Sequence, residues 1–257
     1  VPKILKLLIA FGALALLCVL WLASCGFQMW LRSELNKQAI QFPGLKLTPI
    51  PLANTLVSPD SGNEAGCNGY VLDLPWPEKS LPSGEPNRRG ACVFSNGQNM
   101  VMMYVGAPNE EINRFYGAPS MRPLLEQKYF GADPPRTNYE FVKRVLGVTP
   151  NTFPRYGGWM TLERDAKLFE QKKLIVRDTG ADDVIYSVST PSFQGFQFSS
   201  PSAKASVEVR LYSDKNKVTL QFLTTGKGKP LPQQDINAVV QSVKRDPRAL
   251  MVEGGKN

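Results

Sequence analysis

The chain of 257 residues contains no histidine. That absence removes the side chain whose charge changes between about pH 5 and 8, and the commonest metal ligand. Ser-His-Asp and Cys-His mechanisms are excluded with it, as are zinc sites that use His. Cysteine is scarce, with four in all, and none of them has CxxC spacing, so a Cys-based metal site is excluded too. Charge of one sign is never concentrated. The excess is +8, from 30 basic and 22 acidic residues, but the basic pairs Arg88-Arg89, Lys143-Arg144, Lys172-Lys173 and Lys244-Arg245 lie far apart. No basic run is interleaved with aromatics, which argues against a nucleic-acid partner. Such pairs read as a solvated surface, the functional alternative being contact with anionic lipid or an acidic partner.

What the chain does have is a long apolar start. Leu7 to Leu31 carries no charge, with Lys3 and Lys6 before it and Arg32, Glu34 and Lys37 after it. A bilayer core needs roughly 20 such residues in a helix. Trp21 and Trp30 fall toward its C-terminal end, where amphipathic rings favour the membrane interface. The reading is a short basic N-terminus (1–6), then a single transmembrane helix and its continuation (7–42). Lys3 and Lys6 place the N-terminus in the cytoplasm and the bulk of the chain in the periplasm or outside the cell.

Leu22-Ala23-Ser24-Cys25 resembles a bacterial lipobox, which implies cleavage and acylation at Cys25. Two anchors are therefore open: an uncleaved helix, or a lipid on Cys25. Phe27, Trp30, Leu31 and Leu35 prolong an apolar helical stripe where a lipoprotein has a polar tether, which favours the uncleaved helix. Membrane lipid is a partner in both.

Cys18 lies within the apolar run and reads as a small hydrophobe. Cys67 and Cys92 are the two in the soluble part. An oxidising address permits a disulfide between them, the alternative being two separate buried thiols.

Residues 43–66 hold four prolines and little periodicity, and read as an extended linker or a strap on the domain. A domain over 67–246 follows. Tyr70, Leu72 and Leu74 alternate as a strand does. Asn96-Gly97 predicts a type I′ hairpin between "ACVFS" and "NMVMMYV". A helical insertion covers 109–183, with Asn109 capping a first helix, Thr137 and Glu140 forming a capping box, and Leu162, Ala166 and Phe169 on one stripe of a longer helix.

Strands return near 184–200, then as a hairpin over 206–224. Val207, Val209, Leu211, Val218, Leu220 and Phe222 keep one face of that hairpin apolar. Glu208, Arg210, Thr219 and Gln221 occupy the other, which is expected to face solvent. Ile236, Val239, Val240 and Val243 stripe a final helix, and 247–257 is a loose tail. Gly69-Tyr70-x-Leu72-x-x-Pro75 and Gly195-Phe196-x-Phe198-x-x-Pro201 share a pattern, by duplication or by chance.

The expected fold is α+β: an antiparallel sheet with packed helices, preceded by one transmembrane helix. "GYVLDLPWP", "CVFSNGQNMVMMY" and "VTLQFLTT…DINAVVQSV" together resemble the PsbP-like α/β sandwich, to which the helical middle is an addition. The resemblance implies a binding or assembly module rather than an enzyme.

No catalytic, cofactor or metal residue is assigned. Glu110-Glu111 sit in a helix's first turn, where carboxylates meet the dipole. Asp182-Asp183 lack the spacing of a calcium loop, and Gly226-x-Gly228 lacks that of a phosphate loop. Met100, Met102 and Met103 read as core packing. Trp76, between Pro75 and Pro77, and Trp159, after Gly157-Gly158, are the candidate partner contacts. The expected function is a non-enzymatic, membrane-anchored extracytoplasmic module, an accessory or assembly subunit whose partners are integral membrane proteins. The alternative is a lipoprotein binding a small molecule or a cell-envelope component.

Overall fold

The computed structural model describes residues 3–52, 63–76, 90–107, 109–152, 159–200, 206–214, 216–225 and 228–248, without the side chains of 3–10 and 159–161. In chain order it begins with α1 (Lys3–Gln41), a 3-10 turn (Pro43–Lys46), β1 (Ile50–Pro51), β2 (Glu64–Cys67), β3 (Tyr70–Asp73), β4 (Ala91–Ser95) and β5 (Asn99–Gly106). The helical part follows: α2 (Glu110–Tyr116), a second 3-10 turn (Pro119–Met121), α3 (Arg122–Phe130), α4 (Asn138–Gly147) and α5 (Trp159–Ile175). The chain closes with β6 (Ile185–Ser189), β7 (Gln194–Phe198), β8 (Ser206–Tyr212), β9 (Lys217–Thr224), α6 (Gln233–Ser242) and β10 (Lys244–Arg245).

The class is α+β. A seven-stranded sheet runs β1-β6-β7-β8-β9-β5-β4, and a three-stranded one runs β10-β3-β2. Every neighbouring pair is antiparallel except β1 and β6. The large sheet separates two cores. On one face Val101, Met103, Val207, Val209, Leu211, Val218 and Leu220 meet the α6 stripe of Ile236, Val239, Val240 and Val243, together with Tyr70 and Leu72 of the small sheet. On the other, Ile185, Phe196, Phe198 and Tyr212 pack against Ile112, Phe141, Val145 and Phe169 of the helical layer, and against Leu35 and Ala39 of α1. Alternation along β8 and β9 produces the first core and the 3.6-residue stripe of α6 completes it.

The predicted helices and strands form, with local corrections. Thr137 caps α4 by accepting from Glu140 N at 3.2 Å, while Glu140 Oε2 accepts from Arg136 N at 2.6 Å. Asn109 stands at the head of α2 in a left-handed conformation and makes no side-chain cap. The acceptor comes instead from α4, where Asn138 Oδ1 takes the N–H of Ile112 at 3.1 Å. The β4–β5 turn is shifted by one residue from the type I′ expectation. Asn96 N donates to Asn99 O, so Gly97 and Gln98 are the central pair, and Gly97 alone has positive φ, at +88°. Glycine in that first central position is the type II′ arrangement.

Residues 43–52 form a strap. Leu45 is buried, Gly44 lies so close to Val176 and Thr179 that a Cβ would come within 2.9 Å of Thr179 Cβ, and β1 pairs with β6. Residues 53–62 of the expected linker lie outside the described residues, and β2 begins at Glu64, slightly before the expected boundary. The two similar motifs are not equivalent in the fold. β3 pairs with β2 and β10, whereas β7 pairs with β6 and β8. Of the tail, only residues up to 248 are described.

Candidate functional site

Two features merit functional weight: the way α1 enters the domain, and a polar cavity between the large sheet and the helical layer. α1 is unbroken over 39 residues, about 58 Å at the α-helical rise. Among the described residues it is the one helix long and apolar enough to cross a membrane. Phe11, Leu14, Leu17, Leu20, Trp21, Leu22, Phe27 and Trp30 are exposed along it. Leu35 and Ala39 are buried, and Leu31 packs beside them, so a stripe at i, i+4 and i+8 enters the domain core. Arg32 fixes the crossing point by donating from Nε to Pro150 O (3.2 Å) and from Nη2 to Asn151 O (3.1 Å). Cys18 is exposed on this helix and Cys25 is partly buried.

Below that entry, Lys172 of α5 is fully buried at 0% exposure. Its Nζ donates to Leu47 O (2.5 Å), Leu146 O (2.8 Å) and Val148 O (2.8 Å), filling all three ammonium donors. Burial pushes its pKa down from 10.5 to about 7. By sequence Lys172-Lys173 reads as a surface pair. Lys173 does reach outward, with its ammonium 4.9 Å over the Phe42 ring, whereas Lys172 bolts the strap after α1 to the C-terminal end of α4. These three bonds make it a clamp between the segments.

Cys67 and Cys92 are joined as a disulfide with Cα atoms 5.9 Å apart. The bond staples β2 of the small sheet to β4 at the edge of the large one. Trp76 does not serve as an exposed contact. It is 7% exposed and sits in the core between the two sheets. The Pro75 turn at the end of β3 tucks the ring inward rather than presenting it. Trp159 begins α5, and its side chain lies outside the described residues. Met103 is core, as expected, while Met100 and Met102 are half-buried on the opposite face. Asp183 is buried and accepts from Ser199 Oγ at 2.7 Å and from Gly180 N. Among the described residues no three His, Cys, Asp or Glu side chains cluster as metal ligands would.

The polar face of β8 and β9 is not open to solvent as the alternation suggests. α2, α4 and α5 lean over it and leave a half-open cleft of about 330 Å³. Its floor is Tyr104, Glu208, Arg210, Lys217, Thr219 and Gln221, while Phe141, Gln171, Leu174 and Ile175 descend from the helices. Glu111 and Arg114 of α2 close one side.

The charges pair within it. Lys217 Nζ is 2.6 Å from Glu111 Oε1 and 3.4 Å from Glu110 Oε2, and Arg114 Nη2 donates to Glu110 Oε1 at 2.5 Å. Arg210 donates from Nε to Glu208, which also accepts from Gln221 Nε2 at 3.3 Å. The Arg210 guanidinium lies 4.7 Å from the centroid of Phe198. Burial opposes its charge, but Glu208, Tyr212 and Glu111 together outweigh it and raise the pKa. Tyr212 is held neutral, its pKa driven well above 10.0 by burial and then by Glu111. Its hydroxyl donates to Glu111 Oε1 at 3.5 Å. Three carboxylates face three cations, and one oxygen is left over. The Glu111 side chain is 10% exposed, and its Oε2 has no hydrogen-bond partner among the described residues.

A sequence with period-2 polar alternation looks the same whether its polar face meets water or a polar cavity, so the strands alone conceal this site. The available signal is the insertion: helices with apolar stripes need a sheet face to cover, and α6 already occupies the other one. A larger, more open cleft of about 590 Å³ lies between the start of α4 and the β6–β7 turn. Its charged residues Glu140, Lys143 and Asp214 are exposed. The chain matches no protein family, no curated protein and no solved structure.

Proposed function

We propose that the chain is a non-enzymatic, membrane-anchored extracytoplasmic module, an accessory or assembly subunit that integral membrane proteins recruit. One observation carries this reading. The exposed apolar part of α1 runs without a break into Leu35 and Ala39, which are part of the domain core. A bilayer-spanning helix seated this way holds the domain at a fixed height and orientation instead of on a free tether, as a subunit that must meet membrane-embedded neighbours requires. The Cys67–Cys92 disulfide fits an oxidising compartment. The absence of histidine fits a module without general-base chemistry, and the resemblance to PsbP-like domains points the same way.

The test is topology together with association. The domain is expected to resist protease added to inside-out vesicles and to be digested when the opposite face is exposed. Mild detergent is expected to extract it with integral membrane proteins attached. Digestion from the cytoplasmic face, or extraction solely as a free monomer, contradicts the proposal.

A further inference from the structure

We infer that the domain lies flush on the bilayer surface from which α1 emerges, with the turn at Pro150–Asn151 seated at the lipid headgroups. The inference rests on the spanning role proposed for α1, and adds to it a second contact with lipid, made by the domain itself.

The argument starts from lengths. The charge-free run of α1 starts at Leu7. A hydrocarbon core of about 30 Å takes roughly 20 helical residues, so α1 leaves it near Gly26. Arg32 lies six residues further on, about 9 Å along the axis. The headgroups occupy about 5–8 Å on each side of the core, so Arg32 stands at their outer limit. Tilt brings it closer still, because a tilted helix needs more residues to cross. The exposed rings of Phe27 and Trp30, 5.7 Å apart, fall between these two levels, where aromatic side chains favour the interface.

Arg32 is also where the domain takes hold. Its guanidinium donates to Pro150 O and Asn151 O, in a turn that Thr152 N closes on Thr149 O at 3.0 Å. Asn151 and Thr152 are exposed there. A domain held clear of the membrane needs a stretch of uncovered helix or chain between the two, and α1 has none. Over residues 11–30 every side chain is exposed except Cys25 and Gln28, which are half-buried. At 100° per residue these two share a face with Arg32, Leu35 and Ala39. The covered face of α1 therefore continues from the domain core down to Cys25, the level at which the helix leaves hydrocarbon. Protein reaches the bilayer surface on that side of α1, and the headgroups are what the exposed end of the Pro150–Asn151 turn meets.

The opposite end of the seat is well removed. Gln41 is ten residues beyond Leu31, about 15 Å up the axis. Just past it, Gly44 packs on Val176 and Thr179, so exposed Arg177 marks a point of the domain away from the lipid.

The experiment uses the full chain in phosphatidylcholine vesicles, part of whose lipid carries a nitroxide quencher either on the headgroup or in the acyl chain. A fluorophore is attached to one thiol at a time. The first is native Cys18, with Cys25→Ala. The others are introduced by Asn151→Cys or Arg177→Cys in a chain that also carries Cys18→Ala and Cys25→Ala. Cys67 and Cys92 are joined and take no label. Asn151 offers Arg32 its backbone carbonyl, which the substitution keeps. The acyl-chain nitroxide is expected to quench the probe at 18. The headgroup nitroxide is expected to remove most of the emission at 151 and to leave that at 177. If the probe at 18 escapes the acyl-chain nitroxide, the spanning reading of α1 falls, and this inference with it. If the probe at 18 is quenched while that at 151 keeps its emission, α1 spans but the domain stands off the surface, and the inference alone is overturned. Equal quenching at 151 and 177 overturns it too, since the domain then has no fixed seat.

Discussion

Lys172 Nζ donates to the carbonyl of Leu47 at 2.5 Å, across 125 positions of sequence. With Leu146 and Val148 it makes Lys172 the point where the strap, α4 and α5 are tied together. Replacing it by Met keeps the volume but strands three carbonyls. Each buried acceptor without a donor carries a cost, partly offset by no longer burying a charge. Lys172→Met is expected to lower stability by about 1–3 kcal/mol, read from urea unfolding of the detergent-solubilised chain. An unchanged midpoint contradicts the clamp.

The same lysine gives a pH signature. Its folded pKa is lowered to about 7 from 10.5, so above about pH 7 the unfolded chain binds more protons than the folded one. Stability therefore rises with pH through this window, levels off above the unfolded pKa, and loses this contribution as pH falls toward 7. The comparison is between the wild-type chain and Lys172→Met from pH 6.5 to about 10. The wild type is expected to gain stability relative to the variant as pH rises through this window. Parallel curves contradict the assignment.

The Cys67–Cys92 bond spans a sequence separation of 25 residues. Closing such a loop stabilises by about 3 kcal/mol through the unfolded state. Cys67→Ser with Cys92→Ser together is expected to lose about that much, and reductant to have no further effect on the double variant. Equal stability of oxidised and reduced wild type contradicts it.

The seat of α1 yields a paired prediction. Leu35 is buried and Ile40, five residues on and on the other side of the helix, is exposed. Leu35→Ala is expected to cost about 2–4 kcal/mol, and Ile40→Ala within about 0.5 kcal/mol. Domain stability measured by unfolding, with the helix in a micelle, separates them. Equal effects mean that α1 does not belong to the core.

The sequence shows most of the elements and little of their surroundings. Thr137 with Glu140 announces α4, because a capping box is local chemistry. Val207, Val209 and Leu211 announce β8, because pleating sets the period. The cap of α2 escapes notice, since its acceptor is Asn138, on a different helix and 26 residues away. Lys172 and Lys173 are adjacent and identical in type, yet one is buried under three carbonyls and the other reaches over Phe42. Only the tertiary path of the strap distinguishes them. Glu208 and Arg210 look solvated for the same reason: an alternating strand does not reveal what covers it. Cys67 and Cys92 are a readable pair, but their bond joins two sheets rather than neighbouring strands, which spacing does not show.

The most direct test of the central claim is the intact mass of the chain extracted from native membranes, with and without prior alkaline washing. A retained α1 predicts a membrane-bound polypeptide whose N-terminus precedes Phe11 and whose Cys25 carries no lipid. A mature chain that begins at an acylated Cys25 would show that α1 is cut within its exposed stretch, before the residues that enter the domain, and would contradict the account.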